Sequence, residues 1–161
     1  MFHPRRDPRD ESGSAAIEFA LMAPLLLLLV FGIVAYGYML SFRQALSQGA
    51  TEGARAAAVS AYPTQDQKVT DAVFGVNDAL GGYGVRCAMP ANATTGTLQR
   101  DGVAVGSCTV SPATCANNAL ASCMSVQVTY DYQNHPLVPE VPGVGLVLPD
   151  SLSYTAVAQV G

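Results

Sequence analysis

The chain has 161 residues, a net charge of −4, and is half hydrophobic with only 12% charged residues. That is enough for one modest domain plus an anchor. Its Lys and Arg residues are scattered and form no basic patch, which argues against a nucleic-acid partner.

Residues 1–13 are polar, carry two prolines and alternate in charge, so they read as an unstructured leader. A helix is expected to begin near Ser14, a good N-cap residue ahead of Ala- and Leu-rich sequence. From Ala20 to Leu40 there is no charged residue, and a spanning helix needs about 20 predominantly apolar residues. A cleavable secretory signal has an apolar core of only about 7–15 residues. The segment behind this run, "SFRQALSQGATEGARAAAVSAY", reads as a continuing helix, not as an extended cleavage site. The expectation is a retained anchor. Arg5, Arg6 and Arg9 precede it, whereas only Arg43 follows closely, with Arg55 further on. Counting Lys and Arg places the short N-terminus in the cytoplasm and exports the C-terminal part.

The long helix is expected over 14–61, with its transmembrane portion at about 20–40. Pro24 lies well inside it and leaves the carbonyl of Ala20 without its usual donor, so a kink or local loosening is expected there. Gly49, Gly53 and Ala57 recur every four residues on one face. With almost no side chain there, another backbone can approach closely, which predicts a packing face.

The exported part is expected over 62–161. "YPT" stops the long helix, and Thr64 can cap a second one over about Gln65 to Leu80, with Val69, Ala72, Val73, Val76 and Leu80 at helical spacing. "GGYG" ends it. Asp101-Gly102 between short apolar runs predicts a hairpin. "MSVQVTYDY" alternates, placing Val126, Val128, Tyr130 and Tyr132 on one face, and "SLSYTAVAQV" alternates likewise. The Pro- and Gly-rich stretch between these two strands reads as an ordered crossing loop. The fold class is α+β, with a small antiparallel sheet packed on the extracytoplasmic part of the long helix.

Cys87, Cys108, Cys115 and Cys123 all fall in the exported part. An even number in an oxidising compartment suggests two disulfides. Three pairings are open, and Cys87–Cys108 with Cys115–Cys123 is favoured because each closes a local loop. No C-x-x-C pair suggests zinc. No P-loop, dinucleotide fingerprint or H-E-x-x-H occurs, so neither an enzyme nor a cofactor is expected.

One residue needs separate explanation: Glu18, a carboxylate at the start of the apolar run. If the chain is cut after Gly13, Ser14 gains a free amine that is largely protonated near neutral pH. Glu18 then stands one helical turn in, where that amine, from the same chain or a neighbouring subunit, can meet it. The segment "GSAAIEF" resembles the processing site of type IV pilin-like proteins of the Flp/Tad branch. The longer stretch "SAAIEFALMAPLLLLLVFGIVAYG" with "ALSQGATEGARAAA" is similar to the TadE-like minor pseudopilins, and "VQVTYDYQ" strengthens the likeness.

The resemblance implies a pilin-like, non-enzymatic, single-pass protein of the bacterial inner membrane. It implies cleavage by a prepilin peptidase between Gly13 and Ser14, with Glu18 and Phe19 as the assembly acid and its aromatic companion. Other pilins or pseudopilins and the pilus assembly platform would be its partners. The alternative expectation is an anchored extracytoplasmic adhesin or binding domain that never enters a filament.

Overall fold

The computed structural model describes residues 9–61, 64–116, 118–138 and 149–160. Two helices and a five-stranded sheet make up the fold. Helix α1 runs from Arg9 to Val59, 51 residues, which at 1.5 Å per residue is about 77 Å. The helix is therefore already formed at Arg9, upstream of the expected start at Ser14. Pro8 is the last breaker in the sequence before it. The rest of the expected leader, 1–8, lies outside the described residues. The helix continues through Pro24 without interruption.

Helix α2 spans Gln65–Leu80, as its periodicity predicts. Thr64 occupies the N-cap position with extended dihedrals. Its hydroxyl donates to Gln67 Oε1 at 2.8 Å, so it bonds a side chain and not the helix backbone. A 3-10 turn, Gly81–Tyr83, leads through left-handed Gly84 into the sheet. Tyr62 and Pro63 of the expected helix stop lie outside the described residues.

The strands are β1 (Val85–Ala88), β2 (Thr95–Arg100), β3 (Val103–Cys115), β4 (Asn118–Asp131) and β5 (Ser151–Val160). They pair in sequence order, all antiparallel. The β2–β3 hairpin turns on Asp101 and Gly102, with φ of 52° and 81°. Two consecutive positive φ values define the type I′ turn that Asp-Gly favours. Most of the crossing loop between β4 and β5, residues 139–148, lies outside the described residues.

The two helices cover one face of the sheet. That face carries Leu98, Val110, Val126, Val128, Tyr130 and Leu152, all buried. The opposite face is polar: Thr129 and Ser153 share a hydrogen bond at 2.8 Å, and Gln127 donates to Ser153 at 3.4 Å. Alternation along β4 thus sorts side chains between core and solvent as the sequence pattern requires.

Both favoured cysteine pairs are disulfides. Cys87–Cys108 ties β1 to β3 with Cα atoms 6.0 Å apart, and Cys115–Cys123 ties β3 to β4 at 5.3 Å.

Candidate functional site

The functional candidates lie along α1, whose surroundings change abruptly at Ala35. Every residue from Gly13 to Val34 is exposed except Ala23 and Gly32, which are partly covered. The exposed side chains include Ile17, Phe19, Leu21, Leu25 through Phe31, Ile33 and Val34. They point to all sides of the helix, so no single packing partner can cover them. A soluble monomer rarely leaves a contiguous apolar patch of more than a few hundred Å² bare. The segment therefore calls for lipid or a ring of other helices around it. The helix is long and apolar enough to cross a membrane.

Gly13, Ser14, Glu18, Phe19 and Pro24 all stand on this bare portion. A Cβ placed on Gly13 would meet nothing within 4 Å. An exposed helical Gly costs roughly 0.5–1 kcal/mol relative to Ala, so nothing in the fold itself recommends glycine there. Glu18 is exposed and has no ion-pair partner among the described residues, whereas the exposed Arg55 and Glu52 pair at 3.5 Å.

Beyond Val34 the helix acquires an inner stripe: Ala35, Met39, Phe42, Leu46, Ala50, Ala54 and Ala57 are buried. Gly49, Gly53 and Ala57 face the rest of the chain here. A Cβ on Gly49 would lie 3.4 Å from Leu80 Cγ. On Gly53 it would lie 2.8 Å from Val76 Cγ2 and 3.2 Å from Val126 Cγ1. From the other side, a Cβ on Gly75 would lie 2.9 Å from the carbonyl oxygen of Glu52. Gly53 and Gly75 thus bring the two helix backbones together at one crossing. Gly75 was not singled out by sequence pattern, although a Gly among the apolar positions of α2 is the signal that marks it.

An aromatic cluster fixes the membrane-near end of this half. The Phe42 ring meets Tyr83 at 5.1 Å and Tyr130 at 4.8 Å between centroids, both edge-on. Ser41 and Tyr83 share a hydrogen bond of 2.6 Å, and Arg43 Nε donates to the Tyr154 hydroxyl at 2.8 Å. Arg100 donates to the Tyr130 hydroxyl at 3.1 Å, and that hydroxyl donates to the His135 carbonyl at 2.9 Å. Burial pushes the Tyr130 and Tyr132 phenols above their ordinary range, so they stay neutral at physiological pH. Among the described residues no group of three or more His, Cys, Asp and Glu could hold a metal ion. Asp131, flanked by two tyrosines, is bonded by Asn134 through backbone and side chain, which holds its carboxyl below the usual range as a turn-closing group.

Residues 13–55 match the family described as TadE-like protein. This stretch of α1 is similar to that family. The match begins at Gly13 and ends at Arg55, so it takes in the bare portion and most of the packed one. The match points to involvement in the Tad pilus system, and the single N-terminal apolar helix points to membrane anchoring. No curated protein and no solved structure matches the chain.

Proposed function

We propose that the chain is a minor pseudopilin of a tight-adherence pilus, cut after Gly13 by a prepilin peptidase and assembled through α1. The carrying observation is the bare apolar half of a TadE-like helix, with a glycine at its start that the fold does not need. Before assembly that half spans the inner membrane, with the leader in the cytoplasm and the sheet outside. Gly13 gives the peptidase a backbone unobstructed by a side chain. The cut leaves the Ser14 amine, which is largely protonated near pH 7.

A carboxylate carried towards the bilayer centre costs about 2.5–3.5 kcal/mol even on the mildest scale. Near the end of the span Glu18 meets less of that cost, and a neighbouring subunit's amine offsets more. Pairing of Glu18 with that amine sets the axial register of one helix on the next. Apolar packing of Leu25 to Val30 then replaces lipid contact.

Intact mass and N-terminal sequencing of the protein from cells that make the pilus test this. The expected chain begins at Ser14 and is short by residues 1–13. A full-length chain in cells with active pili would remove the processing step and favour the anchored adhesin that never enters a filament.

A further inference from the structure

The topology fixes which end of the folded half faces the membrane. As α1 runs outward, α2 runs back: Gly49 lies against Leu80, and Gly53 against Val76 and Ala72. The chain then turns at Gly81–Tyr83, and the Tyr83 ring meets Tyr38 at 5.8 Å and Phe42 at 5.1 Å. This turn is therefore the part of the helical layer nearest the bare segment. A hydrocarbon core about 30 Å thick takes roughly 20 residues of helix. Counted from Phe19, just past the Glu18 carboxylate, that length ends at about Tyr38. Yet α1 is already covered at Ala35, which is only 4% exposed. The folded half begins before the hydrocarbon ends, and any tilt of the helix draws it further in.

We infer that the rim formed by Tyr36, Tyr38 and Gly81–Tyr83 sits in the headgroup layer of the bilayer. The inference rests on the membrane-spanning reading above and goes beyond it. Tyr36 and Tyr38 are 48% and 42% exposed, and tyrosine suits the level where one end is apolar and the other wet. No charged residue occurs between Asp78 and Arg86. Gly81 and Gly82 are exposed, and a Cβ on either would meet nothing within 4 Å. Neither has positive φ, so the fold has no need of glycine at these two places. They present bare backbone outward, which lets headgroups approach closely. Asp101 and Asp150, with Arg86 and Arg100, bring charges of both signs to the same pole, which suits a zwitterionic headgroup layer.

The test places a single labelled cysteine in the full chain, whose own cysteines are all in disulfides. The protein is held in phosphatidylcholine nanodiscs with nitroxide on some headgroups. Gly82→Cys reports on the rim, Gln65→Cys on the far end of α2, and Leu27→Cys on the span. The expected result is a blue shift and loss of emission at position 82, no change at 65, and an apolar spectrum at 27. A lipid-buried probe at 27 with a water-like probe at 82 would overturn the seating and leave the anchor standing. A water-like probe at 27 would overturn both. Gly81→Cys, equally open, repeats the measurement should labelling at 82 disturb the turn.

Discussion

Gly13–Val34 and Ala35–Val59 belong to one unbroken helix and differ in what covers them. The first part is apolar on all sides and bare; the second has a buried stripe of Ala, Gly, Met, Phe and Leu and an outer face with Gln44, Gln48, Thr51, Glu52 and Arg55. Both are rich in apolar residues, so composition does not separate them. Direction does. A stripe can be satisfied by a sheet and a second helix of the same chain, whereas an all-round apolar surface needs surroundings that are apolar from every side. Residue size separates them too. Large Leu, Ile and Phe side chains face outward in the first part, where contact is loose. Ala and Gly line the second, where α2 comes within backbone distance. The helix thus joins a portion that the fold leaves bare to a portion that the fold covers.

The sharpest way to break this contrast is to enlarge a residue at the helix crossing. Gly53→Leu would drive a side chain into Val76, Ala72 and Val126, all within 3.2 Å of a bare Cβ. Overpacking of a tight core costs about 1–3 kcal/mol, occasionally more; here one of the contacts is a backbone oxygen, so about 3 kcal/mol is expected. Thermal unfolding and protease sensitivity of the folded part should record the loss. Membrane insertion, which depends on the bare portion, should be unchanged. A Gly53→Leu protein as stable as the parent would show that the crossing is looser than its geometry.

The disulfides come next, and their loss should again touch only the packed half. The closed loops have sequence separations of 21 and 8 residues. Chain-entropy reasoning gives about 3.3 kcal/mol for the longer loop and about 2.5 kcal/mol for the shorter. Replacing Cys87 and Cys108 together by Ala should therefore lower stability more than replacing Cys115 and Cys123. Mass spectrometry after thiol blocking should find no free thiol in the parent protein, and four alkylated cysteines would end the claim.

Most of this architecture is legible in the sequence, for identifiable reasons. The span α2 occupies, the Asp101-Gly102 turn and the inward face of β4 follow from periodicity and from one strong turn signal. What escaped notice is equally physical. The four-residue β1 is too short to show alternation. The outer half of β3 contains Pro112, which reads as a strand breaker. Val110 donates its N–H towards the β2 side, to the Thr94 carbonyl at 2.8 Å. Pro112, two residues on, presents its missing N–H to the same side, where the pairing of β2 has already ended at Thr109. A proline is tolerated there because no ladder bond is lost. The aromatic contact of Phe42 with Tyr83 and Tyr130 joins three distant segments, and local pattern carries no trace of it. In the candidate site the reverse holds. Gly13, Glu18 and Phe19 stand out in the sequence because they interrupt or open an apolar run, while the isolated chain gives them no partner.

Glu18 should have the smallest effect on folding and therefore draws the contrast most cleanly. Glu18→Gln keeps the shape and removes the charge. Since the carboxylate is exposed and touches nothing in the packed half, the stability of that half should not move. Membrane residence should become cheaper, because the variant carries no ion towards the hydrocarbon. If pairing with a neighbour's Ser14 amine sets the register, the lesion must appear only when subunits meet, as loss of co-assembly or of pili at normal protein level and normal cleavage. Glu18→Asp retains the charge and shortens the reach by one methylene, so its defect should be milder but measurable. A carboxylate that merely reaches up to the interface predicts that both variants assemble normally. Membrane level, cleavage and pilus formation have to be followed in the same cells. Normal pili from Glu18→Gln would mean that the bare half is held in register by its apolar surface alone.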